Sequence, residues 1–235
     1  MSKSSKVFLV TGASTGIGEA TARRAVEAGF RVVLAARSTE KIERLQAEFG
    51  DQRALAVTCD VSSWESQQEL VKQAVERFGR IDVVFANTGF SRGPSFYGGE
   101  DKPDDWKEMV LVNVYGAAAT ARLTLPELVK NRGHFLITGS VAGRITSTQN
   151  LYSATKWAVT GMAQAIRNEM AGTGIRVTLV NPGIVDTPFW DHLQKPANAK
   201  ELEADDVARA VLYAVSQPEH VDVNEILIRP TGQPQ

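Results

Sequence analysis

Short apolar runs alternate with longer segments of mixed polarity along the first ninety residues. Lys6–Thr11 (KVFLVT), Arg31–Ala36 (RVVLAA), Ala54–Thr58 (ALAVT) and Ile81–Ala86 (IDVVFA) are apolar nearly throughout, as strands of a parallel sheet covered on both faces should be. The intervening segments Glu19–Ala28 and Thr39–Phe49 carry a polar face and end at Gly29 and Gly50, which predicts helices closed by glycine. Ser62-Ser63-Trp64-Glu65 fits a capping box and opens a third helix that runs to Phe78.

Asn87 to Asp105 is rich in Gly, Ser, Pro and charge and reads as a loop. After it the pattern predicts a helix over Asp104–Asn131, a strand over Gly133–Thr138 and a helix from Gln149 to about Met170. A strand over Ile175–Val180, a helix over Ala204–Ser216 and a last strand over Glu225–Ile228 complete the chain. Strands that alternate with helices through short connections give right-handed crossovers. The expectation is one doubly wound, Rossmann-type α/β domain over residues 1–235, with a parallel sheet of about seven strands and helices on both faces. Ligands of such sheets bind beyond the carboxyl ends of the strands.

Composition narrows the chemistry. With 235 residues and 43% hydrophobic content the chain can bury one large core. A net charge of -1 gives no reason to expect nucleic acid or an anionic membrane as partner. Cys59 is the only cysteine, and His134, His192 and His220 are dispersed, so no metal site is expected. The start lacks the apolar stretch of a signal peptide, and no run approaches ~18 apolar residues, so a cytoplasmic protein is expected.

Two stretches carry chemistry. Gly12-Ala-Ser-Thr-Gly16-Ile-Gly18 follows the first strand and opens the first helix. Such a turn aims backbone N–H groups and a positive helix end at a pyrophosphate. No acid stands between Arg31 and Glu40, where a site for NAD usually places one, and the strand ends Ala35-Ala36-Arg37-Ser38. Ser14, Arg37 and Ser38 are therefore candidates to bind a 2′-phosphate, and NADP(H) is preferred over NAD(H). In the second stretch, Tyr152 and Lys156 stand four apart, on one face of a helix. A cation beside a phenol favours the phenolate, so Lys156 would poise Tyr152 for proton transfer to or from a carbonyl oxygen.

Taken together, Thr11-Gly-Ala-Ser-Thr-Gly-Ile-Gly18, Asn87-Thr88-Gly89, Asn113, Ser140, Tyr152-Ser-Ala-Thr-Lys156 and Asn181-Pro-Gly183 with Thr187 resemble the short-chain dehydrogenases/reductases. The resemblance implies Tyr152 as general acid/base and Ser140 as hydrogen-bonding partner of the substrate oxygen. It implies Lys156 as the cation that lowers the phenol and holds the nicotinamide ribose, and Asn113 as the holder of a proton-relay water. The cofactor contacts it implies are Gly12, Thr15, Gly16, Ile17 and Gly18 at the pyrophosphate, Asp60 and Val61 at the adenine, and Asn87 and Gly89 beside the adenosine ribose. Ile184 and Thr187 would lie at the nicotinamide carboxamide, and Pro182 and Gly183 complete the cofactor-binding set. Thr88 departs from the family's usual alanine, and the segment Asp186 to Glu203 is short for a substrate lid.

The tail from Ala204 to Ile228 is similar to NADP-dependent members that act on 3-hydroxy acids, serine-type amino acids and small carbonyls. Two pockets remain open: a carboxylate site using Arg92, Arg144 or Lys195, or an apolar pocket built from Val141, Ile145, Phe189 and Trp190. The reaction expected is reversible hydride transfer between NADP(H) and a small ketone, aldehyde or secondary alcohol. A catalytically silent cofactor-binding regulator and a nucleotide-sugar epimerase are the rivals. The family likeness implies a homo-oligomer, tetramer or dimer. Ala117, Ala118, Ala119, Met162 and Ile166 fit either a subunit interface or the core.

Overall fold

The computed structural model describes residues 6–92, 96–97, 103–146, 151–191, 193 and 200–233. In chain order it runs β1 (Val7–Thr11), α1 (Gly16–Glu27), β2 (Arg31–Ala36), α2 (Thr39–Phe49), β3 (Ala54–Thr58), α3 (Trp64–Phe78) and β4 (Val83–Ala86). Then follow α4 (Pro103–Val110), a π-helical turn (Leu111–Gly116), α5 (Ala117–Asn131), β5 (His134–Thr138), α6 (Leu151–Glu169) and β6 (Arg176–Pro182). The short strands β7 (Val185–Asp186) and β8 (Leu202–Glu203), helix α7 (Ala204–Ser216) and β9 (Glu225–Ile228) complete it.

Seven strands form one parallel sheet in the order β3-β2-β1-β4-β5-β6-β9. The order reverses between β1 and β4, which opens a crevice at the carboxyl edge. Alternation along β1 shows why every residue of this strand is buried. Val7 and Leu9 join Leu70 and Ala74 of α3, Leu128 of α5, and Val159 and Ala163 of α6. Phe8 and Val10 point the other way, to Ala22 and Ala25 of α1, Ile42 and Leu45 of α2, and Val207 and Val211 of α7. Successive residues of a strand face opposite sides, so one five-residue strand feeds two cores.

The fold class is the one the sequence predicts; several boundaries differ. Helix α1 begins at Gly16 rather than Glu19, so the last glycines of the loop form its first turn. The cap of α3 is Ser63, whose hydroxyl accepts from the Ser66 N–H, one residue later than the box starting at Ser62. Gln149 and Asn150, the anticipated start of α6, lie outside the described residues. The pair β7–β8 was not anticipated. The helix expected unbroken from Asp104 to Asn131 is widened by the π turn. There Gly116 packs so closely on Val61 that a β-carbon would lie 2.9 Å from Val61 Cγ2. Its carbonyl accepts from the Gln67 side chain and from the Thr120 hydroxyl. Such turns recur at functional sites, and this one carries Asn113.

Ala117, Ala119 and Ile166 are buried in the core and Met162 packs against it, whereas Ala118 is exposed. No helix among the described residues is long and apolar enough to cross a membrane, and no cluster of His, Cys, Asp or Glu among them is arranged to hold a metal.

Candidate active site

A cavity of about 790 Å³ opens at the carboxyl edge of the sheet. Of the residues predicted for cofactor and catalysis, all but Gly18 and Asn113 line it. Those two sit one layer behind. A β-carbon on Gly18 would lie 2.1 Å from the Gly12 carbonyl oxygen, so only glycine lets the loop fold back on α1. Gly12 and Gly16 adopt φ of +68° and +56°, the left-handed region. Thr15 is the extended N-cap residue of α1, but its side chain makes no capping hydrogen bond. The N–H groups of the first turn are thus left for a ligand, at the positive end of the helix dipole.

At the end of the cavity beside β2 and β3, Asp60 Oδ1 accepts from the Ser62 N–H and hydroxyl, at 2.9 and 2.7 Å. Burial works to raise its pKa, yet these two hydrogen bonds and the Arg37 charge together hold it below the usual carboxylate value. Asp60 therefore braces the loop before α3 and lines the cavity as well. Arg37 reaches from the end of β2 to Glu108 on α4, with Nη1 3.4 Å from Oε1. The Asn87 side chain joins two strand ends by donating to the Thr11 carbonyl and accepting from the Thr138 hydroxyl.

At the other end, α6 presents Tyr152 and Lys156 together. Lys156 is 3% exposed, and its Nζ donates to the Thr138 carbonyl at 2.8 Å and lies 5.6 Å from the Tyr152 ring centroid. Burial pushes the Lys156 ammonium down to about 8. Burial also pushes the Tyr152 phenol up to about 12, opposed only by the hydrogen bond with Ser140. The phenol lowered by its neighbouring cation, as anticipated from spacing, is thus not the arrangement found here: desolvation dominates both groups.

Asn113 is buried within the π turn. Its Oδ1 accepts from the Phe90 N–H at 3.0 Å, and its Nδ2 donates to the Phe90 carbonyl at 2.9 Å and to the Thr155 hydroxyl at 3.1 Å. The side chain therefore ties the loop after β4 to the helix carrying Tyr152, and its amide protons are both engaged. A β-carbon on Gly89 would stand 3.2 Å from Asn113 Oδ1 and 3.3 Å from Lys156 Nζ, so these two atoms close over one small space.

Ser140 is held by a chain of groups whose link, Glu225, pattern reading did not select as functional. Its backbone N–H donates to Asn181 Oδ1 at 3.0 Å; Asn181 Nδ2 donates to Glu225 Oε1 at 2.7 Å; and both oxygens of Glu225 accept from one edge of Arg144, Nε and Nη2. A carboxylate only accepts, so Glu225 fixes which way the buried Asn181 amide faces. Arg144 is committed here and Arg92 pairs with Asp105, while Lys195 lies outside the described residues. Gln233 was also missed: its Oε1 accepts from the Ile184 N–H at the cavity wall. Only the folded chain brings Glu225 to Asn181 and Gln233 to Ile184, so no local pattern marked Glu225 or Gln233. Beside Tyr152 the wall is apolar, as the second pocket reading anticipated. Val141, Ile145, Phe189 and Trp190 line it, and the Phe189 ring is centred 5.5 Å from that of Tyr152.

The cradle fits a dinucleotide: an uncapped helix terminus on a glycine turn, an arginine at one end and, at the other, a half-buried Tyr152 between the buried Ser140 and Lys156. The profile of the family described as short chain dehydrogenase matches residues 6–198. The chain belongs to that family. An uncharacterized oxidoreductase of Staphylococcus aureus strain USA300 is 39% identical over 227 residues, covering 96% of this chain and 97% of the relative. Among solved structures, an alcohol dehydrogenase from the archaeon Thermococcus sibiricus, complexed with 5-hydroxy-NADP, superposes with a TM-score of 0.90 at 32% identity over 98% of both chains. The closed form of a serine dehydrogenase complexed with NADP+ gives a TM-score of 0.90 at 29% identity, covering 97% of this chain and 96% of that one. The chain is an oxidoreductase of the short-chain dehydrogenase/reductase family.

Proposed function

We propose that the protein is an NADP(H)-dependent carbonyl reductase, acting reversibly on a small ketone or aldehyde. The observation that carries the reading is the Ser140, Tyr152 and Lys156 group on one wall of a cavity whose far end is the glycine turn and Arg37. Nicotinamide, when bound, supplies the hydride. Tyr152 holds the proton. With the phenol at about 12 it is protonated at neutral pH, yet far more acidic than an alcohol, whose pKa is near that of water at ~15.7. Transfer of its proton to an oxygen gaining negative charge is therefore downhill, which suits the reductive direction. Ser140 supplies a second hydrogen bond to that oxygen, and preorganised donors of this kind stabilise developing charge. Lys156 spends one of its three N–H groups on Thr138; the others serve ribose hydroxyls and stabilise the phenolate left after transfer. Phe189 and Trp190 cover the site and suit an uncharged substrate.

The preference for NADP(H) rests on Arg37 and on the lack of an acid at the end of β2, and the two NADP-bound relatives support it. Assembly into a homo-oligomer fits the outward-facing Val110, Tyr115 and Trp157, each about two-fifths exposed along the α4-to-α5 and α6 helices; light scattering that returned a monomer would refute it. The functional test is loss of reduced-nicotinamide absorbance with small ketones, aldehydes and 3-oxo acids. The expected result is turnover at least tenfold more efficient with NADPH than with NADH. Tight NADPH binding without turnover on any carbonyl would favour a regulator of the same fold.

A further inference from the structure

Glu108 lies outside the cavity on α4, 71 residues from Arg37, and yet its carboxylate is the partner that the Arg37 guanidinium has found. The two side chains are 64% and 43% exposed and meet through one nitrogen at 3.4 Å. Arg37 lines the adenosine end of the cavity and sits within the electrostatic reach of Asp60. Ser38, beside it, heads α2 without its side chain capping that helix. This corner therefore offers an anion an arginine, a free-standing hydroxyl and a helix start, but with a carboxylate already drawing on the arginine.

We infer that Glu108 sets the strength of the NADP(H) preference, as the intrachain anion that competes with the 2′-phosphate for Arg37. The inference rests on the reading of Arg37 as the 2′-phosphate ligand. Two effects of Glu108 oppose each other, and their sizes decide the sign. Holding Arg37 in place contributes little, because an exposed, single-contact ion pair orders its partners only weakly. Repulsion contributes more: a phosphate bound to the other edge of the same guanidinium stands about one Debye length (~8 Å) or less from the carboxylate and carries up to two negative charges. A cofactor with only a 2′-hydroxyl meets neither the benefit of Arg37 nor the repulsion. Glu108 thus restrains NADP(H) binding selectively and leaves NAD(H) almost untouched.

Equilibrium binding of NADPH and of NADH to the intact protein, to Glu108→Gln, to Arg37→Met and to the double variant tests this. Glu108→Gln is expected to tighten NADPH threefold to tenfold and to change NADH less than twofold, and the gain should vanish when Arg37 is methionine. NADPH affinity that is unchanged or weakened in Glu108→Gln, or NADH tightened equally, overturns the inference. The reading beneath it fails separately: if Arg37→Met leaves the ratio of NADPH to NADH affinity intact, Arg37 is not the phosphate ligand at all.

Discussion

The two edges of the sheet both bury polar groups, and they do so to opposite ends. At the amino edge, Asp82 is 4% exposed and fully engaged. It accepts from the Val7 N–H at 2.8 Å and from two nitrogens of Arg80. His134, fully buried nearby, shares a hydrogen bond with Thr178, whose hydroxyl donates to the Val223 carbonyl. That direction places the imidazole proton on Nε2 and leaves Nδ1 without a partner among the described residues. At the carboxyl edge, Lys156 is equally buried, but its donors are only partly used and it faces a cavity. A buried charge alone does not mark a site. What marks one is a buried charge whose spare hydrogen bonds point into a space a ligand can fill.

Replacing Lys156 by Met breaks the comparison most sharply. Turnover should fall by about 10²–10³, while the protein becomes more stable. The sign follows from the shift: the folded pKa of about 8 lies below the ordinary 10.5, so the charged form costs the fold stability in full below pH 8. That cost fades as pH rises from 8 to 10.5, and at neutral pH it amounts to roughly 3 kcal/mol. Thermal unfolding at pH 7 and again at pH 10 checks it: the gain in stability should shrink at the higher pH. An unstable variant at pH 7 contradicts it. Asp82→Ala should do the reverse, costing about 3 kcal/mol by stranding Arg80 and the Val7 N–H, with turnover per folded molecule unchanged in a steady-state assay.

Smaller effects sharpen the picture. Glu225→Ala frees the Asn181 amide to turn and should lower turnover about tenfold, roughly 1.4 kcal/mol, with NADPH affinity within twofold; equal activity would mean Ser140 needs no such brace. At the amino edge, His134 is pushed by burial, and by the Arg176 charge, down to about 3. The unfolded chain binds its proton below pH 6.5 and the folded chain does not, so stability falls with acid by about 1 kcal/mol between pH 6.5 and 5.5. His134→Leu should flatten that limb of the denaturation curve, and a slope identical to wild type would contradict the assignment.

Local pattern carried most of the fold. β2, α2, β3, α7 and β9 have the expected bounds, because apolar runs and glycine stops are written in neighbouring residues. The π turn is not legible, because it answers to Gln67 and Val61, some fifty residues away. The site divides in the same way. The glycine turn, Arg37, the Tyr152–Lys156 pair and the Asn181-Pro-Gly turn are compact signals, whereas Glu225, Gln233 and Glu108 owe their places to sheet order and helix packing. The electrostatics were misjudged from spacing alone: four residues on a helix bring phenol and ammonium close, but burial, invisible in the spacing, moves their pKa values apart.

The central claim is that the Tyr152 phenol on the carboxyl edge delivers the proton. Tyr152→Phe keeps the ring against Phe189 and removes only the hydroxyl. Single-turnover NADPH oxidation with the best small carbonyl, measured beside NADPH affinity, tests it most directly. The account predicts a 10²–10⁴-fold slower reaction with cofactor affinity within about twofold of wild type. A reaction within twofold of wild type would contradict it.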